Sequence, residues 1–214
     1  MLSVPFLPLL NADALGDEAM RSLACLPSHS IACVSWKAFS YAPQAEVKIA
    51  QTEACLLLQY AVREACIRAK FTQPNEAVWT DSCVEFFVSF DDKKTYYNLE
   101  TNCIGTPLMR YNIRPHEGPM ATPQQLSRIR TRSTLGAQPI AAQSGDFAWT
   151  LTLAIPYDCF FAHSFASLRG QNVFANFYKC GDELVQPHYL SMFPINTPAP
   201  NFHVPEFFQQ LKMA

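Results

Sequence analysis

Asp81-Ser-Cys-Val-Glu-Phe-Phe-Val-Ser-Phe-Asp-Asp-Lys-Lys-Thr-Tyr-Tyr-Asn-Leu-Glu-Thr-Asn-Cys-Ile104 is two alternating runs joined by a polar turn. In the first run Val84, Phe86, Val88 and Phe90 share one parity, and Asp81, Cys83, Glu85 and Phe87 share the other. In the second run the even positions are Tyr96, Asn98, Glu100 and Asn102, and the odd positions are Tyr97, Leu99, Thr101 and Cys103. A period of two places alternate side chains on opposite faces of a sheet. Asp91 to Lys94 supplies the turn, so residues 81–104 read as an antiparallel hairpin.

The pattern repeats outward. Leu56, Leu58, Tyr60 and Val62 form one face of a strand over Glu53–Glu64, with residues 65–70 as its extension. Phe147, Trp149, Leu151, Leu153 and Ile155 alternate with small or polar residues until Pro156. Further strands are expected at Ile31–Val34, Arg128–Arg132 (an edge strand with cationic side chains outward) and Asn172–Cys180, and after Gly181 the chain reads as a Pro-rich loop that closes with Phe202–Leu211. Residues 105–124, rich in Pro and Gly, read as a long loop. One short helix is expected over Asp17–Leu26. The expected fold is an all-β, two-sheet antiparallel β-sandwich of seven to eleven strands, with long loops and one or two short helices, in a single domain over residues 1–214.

Composition narrows the function. Charged residues make up only 16% of the 214 residues against 49% hydrophobic, which excludes a disordered, solvating chain. The net charge of -2 argues against a nucleic-acid partner, because phosphate binding needs a basic surplus. No run of 18 apolar residues exists, so no membrane-spanning helix is expected. Met1–Leu10 is apolar but lacks a basic start, and Asn11 and Asp13 follow at once. A cytoplasmic location is the expectation, or a secreted or periplasmic one if a leader has been removed. The eight cysteines form no C-x-x-C pair, and free structural thiols are expected. The five histidines show no metal-binding spacing.

Chemistry is suggested by polar residues inside apolar strands. Glu85 sits within Val84-Glu-Phe-Phe-Val88, and Asn176 within Phe174-Ala-Asn-Phe-Tyr178. A mid-strand carboxylate must face solvent, a partner or a site, since burying it alone is costly. Asn98, Glu100 and Asn102 make a polar column. Carboxylates, amides and aromatics on one face suit sugar hydroxyls and ring faces. An ordinary solvated sheet face is the alternative. Trp79, at the strand entrance, is a stacking platform or a core lid, and Trp149 is expected in the core.

Four segments in order resemble family 9 carbohydrate-binding modules. They are Trp79-Thr-Asp-Ser-Cys-Val-Glu-Phe-Phe87, Tyr97-Asn-Leu-Glu-Thr-Asn-Cys-Ile-Gly105, Trp149-Thr-Leu-Thr-Leu-Ala-Ile-Pro156 and Gly170-Gln-Asn-Val-Phe-Ala-Asn-Phe-Tyr-Lys179. The resemblance covers residues 30–210 and is nearest to the stand-alone, single-domain branch. It implies a β-sandwich that binds sugars without cleaving them and holds a glycan end between aromatic side chains. It also implies structural calcium in many members. By position, Glu85 matches a sugar-contacting acid, Asn102 with Glu100 matches polar contacts of the next strand, and Asn176 matches a late-strand polar position. Where relatives often show Ser-Trp-x-Pro, this chain has Ser191-Met-Phe-Pro194, so Met192 replaces a candidate stacking aromatic.

The resulting sugar-binding candidates are Trp79, Glu85, Asn98, Glu100, Asn102, Asn176, Tyr178, Lys179 and Phe193. Asp91, Asp92, Asp146 and Asp182 are possible calcium donors. Two rival readings stand beside this one. A glycoside hydrolase could use Glu85 with Glu100 as its carboxyl pair. Asp81 with Glu85 fits less well, because four residues of strand separate their backbones by about 13 Å. A haem-binding sandwich could use Met192 with His188 or His203. The oligomeric state is not decided by the sequence.

Overall fold

The computed structural model describes residues 1–8 and 15–214. Leu9, Leu10, Asn11 and Asp13, part of the N-terminal leader reading, lie outside the described residues. The chain runs β1 (Leu2–Val4), α1 (Asp17–Ala24), β2 (His29–Ser30), β3 (Cys33–Val34), β4 (Gln44–Gln51) and β5 (Cys55–Ala69). It continues through β6 (Cys83–Ser89), β7 (Tyr96–Asn102), β8 (Pro107–Asn112), α2 (Pro123–Leu126), β9 (Arg130–Ser133) and β10 (Ile140–Pro156). It closes with β11 (Asn172–Cys180), β12 (Tyr189–Ser191) and β13 (Gln209–Met213).

These strands form two sheets. One has the order β1-β13-β11-β6-β7-β8, with β12 joining β11 to β3. The other has the order β2-β4-β5-β10-β9. All strand pairs are antiparallel except β1 with β13. The sandwich follows from the parity of the strands. Val84, Phe86 and Val88 of β6 and Leu99 of β7 meet Leu56, Leu58 and Tyr60 of β5 and Leu151 and Leu153 of β10 in one buried cluster between the sheets. Trp149 lies in that core, 3% exposed.

The second faces are also covered. Helix α1 packs Ala19 and Leu23 against Ala50, Leu57 and Ala154, on the outer side of the five-stranded sheet. On the outer side of the eight-stranded sheet, Phe87, Tyr96, Tyr178 and Cys180 pack against Ile195, Phe202, Val204 and Phe208 of the C-terminal segment. This cover decides the site: a polar side chain on that face is sealed beneath loops rather than solvated.

Three expectations are corrected. Residues 105–124 are not one loop, because Pro107–Asn112 pairs with β7 and Pro123–Leu126 forms a capped helical turn. The strand over Gln44–Gln51 was not expected, and it pairs along β5 for eight residues. The described residues hold 13 strands, two more than the upper expectation, because several are only two to four residues long. Arg130–Ser133 does lie at a sheet edge.

Candidate functional site

The outer face of the eight-stranded sheet carries three cross-strand rows. Tyr178, Glu85, Glu100 and Leu108 are consecutive partners across β11, β6, β7 and β8. Asn176, Phe87, Asn98 and Arg110 form the adjacent row. Cys180, Cys83 and Asn102 form the third. Directly opposed residues on one face lie close enough to interact. Above the first two rows opens a cavity of about 410 Å³. That volume falls within the usual range for small-molecule sites.

The floor is acidic. Glu85 and Glu100 line the cavity yet are only 3% and 5% exposed. The Cys180 thiol donates to Glu85 Oε1 at 3.0 Å. Asn112 donates to Asn98 Oδ1 at 2.6 Å, and Asn98 Nδ2 donates to Glu100 Oε1 at 2.7 Å. This relay fixes the amide orientation and leaves Glu100 Oε2 buried without a partner. Burial pushes the Glu100 carboxyl up to about 7. Burial, reinforced by Cys180 and Glu100, raises Glu85 well above the usual carboxylate range. Asp182, also on the cavity wall, rises to about 6, again chiefly through burial. None of these three carboxyls forms an ion pair among the described residues.

The walls come from loops. Trp79 stands at the rim, 38% exposed, on the short 3-10 turn Val78–Thr80. Arg110 reaches into the cavity from β8 and donates to His116 O at 2.8 Å. His116 has a positive φ of 62°, and its ring lies 3.9 Å from that of His203. Gly118 closes this turn. A Cβ there would sit 2.0 Å from Tyr111 O, so only glycine allows the approach. Tyr96 Oη lies 2.9 Å from His203 Nδ1. Burial, with His116 and Arg110 nearby, lowers His203 to about 3.

Of the nine candidates, the structure brings Trp79, Glu85, Asn98 and Glu100 together at this cavity. The other five lie outside it. Asn102 donates to Phe71 O and to Asp81, and accepts from Thr106 N, so it shapes the loops beside the site. Asp81 is fully buried, pairs with Arg68 at 2.8 Å and accepts from Lys70 N and Phe71 N. Asn176 spends its amide on the Phe193 backbone, which it binds through both N and O. Phe193 and Met192 pack on the inter-sheet core instead. Tyr178 is buried beneath Phe202, with rings 4.1 Å apart. Lys179 has the opposite parity and points between the sheets, where it pairs with Glu64 at 2.9 Å.

The rival ligand sets are also placed. Both ring nitrogens of His188 are engaged, Nε2 with Lys179 Nζ and Nδ1 with Gln186 O, each at 2.9 Å. Among the calcium candidates, Asp91 accepts from Ser89 and Thr95, Asp146 pairs with Arg63, and Asp182 faces the cavity. No three of the four come together among the described residues. No described helix is long and apolar enough to cross a membrane. Sequence reasoning missed Arg110 and His116, and named His203 only as a haem-ligand candidate. The alternation Leu108, Arg110, Asn112 was a usable signal for the first, whereas no local pattern marks the histidines.

A two-sheet sandwich with a polar pocket on one outer face and an aromatic at its rim is the architecture of a small-ligand-binding module. The chain belongs to carbohydrate-binding family 9, whose profile matches residues 17–213. It is 38% identical to a candidate carbohydrate-binding protein from Bacteroides uniformis, with a TM-score of 0.93 over 100% of this chain and 98% of that one. A family 9 module from Caldicellulosiruptor kristjanssonii in complex with glucose shares the fold at 12% identity, with a TM-score of 0.65 over 100% and 95% of the two chains. The same module in complex with cellotriose gives a TM-score of 0.65 at 12% identity, over 99% and 92%. No curated protein matches the chain significantly. Family membership makes this a carbohydrate-binding protein.

Proposed function

We propose that the cavity over Glu85, Asn98 and Glu100 holds one terminal sugar residue of a glycan chain, or a small saccharide, without cleaving it. The observation that carries this reading is the unpartnered, buried Glu100 Oε2 beside Glu85 and Asn98 on a pocket floor. A sugar ring offers a fan of hydroxyls that can donate to these acceptors. Arg110, the cross-strand partner of Asn98, lines the same cavity and supplies donors. Trp79 at the rim offers an apolar plane to the ring's C–H face. The solved glucose and cellotriose complexes of the Caldicellulosiruptor module make glucose and short glucans the first ligands to try.

Calorimetric titration with mono- and oligosaccharides tests the proposal. Saturable binding to one sugar class is expected, and Glu85→Ala should abolish it while the far-ultraviolet spectrum stays unchanged. A folded wild-type protein that binds no sugar at millimolar concentration overturns it. Trp79→Ala should weaken binding by about two- to tenfold, in line with roughly 0.5–1.5 kcal/mol for aromatic contacts. An unchanged affinity would remove Trp79 from the site.

A further inference from the structure

We propose that Cys83, Cys180 and Glu85 form a site for a borderline-soft divalent cation of the Zn²⁺ class, opening into the cavity from its floor. Cys83 and Cys180 are directly opposed partners across β6 and β11, and Glu85 lies two residues along β6 on the same face. Their two Sγ atoms and a carboxylate oxygen all lie within 4.8 Å of one another. This is the one group of three or more potential metal-ligating side chains among the described residues.

Ligand atoms no more than 4.8 Å apart approach the roughly 3.8 Å spacing that a tetrahedral centre with Zn–S bonds of about 2.3 Å requires. A cation equidistant from three atoms spaced at that limit would sit about 2.8 Å from each, against Zn–S of about 2.3 Å and Zn–O of about 2.0–2.2 Å. A contraction of about half an ångström per ligand closes the gap, within reach of χ1 adjustments. Thiolate favours Zn²⁺ over Mg²⁺ or Ca²⁺, and the harder carboxylate oxygen favours it over Cu⁺. Three protein ligands leave a fourth position. Cys180 and Glu85 both line the cavity, so an entry path exists on that side.

The groups have only weak competing contacts, the Cys180 thiol also lying 3.5 Å from Trp79 O. The Cys180 thiol donates to Glu85 Oε1 at 3.0 Å, and the Cys83 thiol lies 3.6 Å from Val84 O. Among the described residues no basic side chain forms an ion pair with Glu85. Burial holds both thiols in the protonated state, with Cys83 raised to about 12. Cation binding therefore displaces two thiol protons, and the carboxyl proton where present, into solvent. No electron changes hands. The inference needs only these three side chains and does not depend on sugar binding.

The test uses the reduced full chain carrying Cys25→Ser and Cys33→Ser, which removes the one exposed and one half-buried thiol. Titration with Co²⁺ under argon should give one equivalent of tetrahedral cobalt with sulfur-to-cobalt charge-transfer absorption. Zn²⁺ should displace it, and Cys180→Ala should abolish the band. The same absorption in Cys180→Ala, or none in the folded parent, overturns the proposal. A second measurement covers a Cys180→Ala variant that fails to fold. In the parent, Zn²⁺ should slow alkylation of Cys83 and Cys180 at least tenfold relative to Cys55, Cys66, Cys103 and Cys159. Equal labelling with and without Zn²⁺ overturns it.

Discussion

Lys179→Ala is expected to destabilise the protein by about 3–5 kcal/mol, the usual cost of breaking a buried ion pair by removing one partner. Lys179 and Glu64 have fully buried side chains, 2.9 Å apart between the two sheets. Trp149 Nε1 donates to the other Glu64 oxygen at 2.7 Å, and Lys179 Nζ also donates to Cys180 O at 2.8 Å. His188 completes the group. Its Nε2 lies 2.9 Å from Lys179 Nζ while Nδ1 lies 2.9 Å from Gln186 O, so the neutral tautomer protonated on Nδ1 satisfies both contacts. Burial first, and Lys179 second, hold His188 down at about 2. Burial alone would depress Lys179, but the Glu64 carboxylate outweighs it and raises the ammonium pKa. Removing the lysine leaves a buried carboxylate without its cation, which is where the cost arises. For a domain of this size each kcal/mol moves the melting temperature by about 2–4 °C, so a drop of roughly 6–20 °C is expected by calorimetry at pH 7. The double variant Glu64→Gln/Lys179→Met should recover most of the loss, because it removes both buried charges while the glutamine amide oxygen still accepts from Trp149 Nε1. A loss below about 1 kcal/mol for Lys179→Ala would mean that water reaches Glu64.

The placement of Lys179 also marks what the sequence could tell. Strand parity alone puts Asn176 and Tyr178 on one face and Lys179 on the other, so the three could not share a surface. The β6–β7 hairpin, β5 and β10 were legible because their alternation is long and uninterrupted. The strand β4 escaped notice although Val47 and Ile49 share the parity of a buried face, because Glu46 and Lys48 dilute its apolar character. Pro107 and the glycines around it hid β8, and with it Arg110. Two of the three residues of the polar column reach the cavity and the third does not, for a local reason. Asn98 and Glu100 lie under the opening, whereas Asn102 sits at the strand end, where its amide ties down the turn to Thr106 and the Phe71 loop. His203, named from the sequence only as a haem-ligand candidate, was not legible as part of this pocket. It reaches the site from a non-repetitive segment about 100 residues beyond β7, and its contact with Tyr96 spans 107 positions. Such a pairing depends on tertiary cover over the sheet, which no local periodicity encodes.

Glu100→Gln is expected to raise stability and lower sugar affinity together. The Glu100 carboxyl titrates at about 7 in the folded chain because it is buried, against an ordinary 4.5. A raised carboxyl pKa means that folding takes up a proton between those two values. The favourable contribution of the neutral acid is full below pH 4.5 and is lost as the pH climbs to 7. Above that window the ionised, desolvated carboxylate costs stability, by up to about 3 kcal/mol for a shift of this size. Glutamine never ionises, so the variant should exceed the wild type by about 1–3 kcal/mol in urea denaturation at pH 8, and the gain should vanish near pH 4.5. The lowered histidines His188 and His203 act in the opposite direction, destabilising the fold as pH falls below 6.5. They are common to both proteins and cancel in the difference. Sugar binding should move the other way. A hydrogen bond to a charged acceptor contributes about 1.5–3 kcal/mol, so its loss should weaken affinity by roughly 10- to 150-fold at pH 8. A gain in stability with a loss of binding is the behaviour of a side chain kept for its ligand at a cost to the fold. Equal stability at pH 8 would show that Glu100 is already solvated or paired. Unchanged affinity would move the sugar away from its carboxyl.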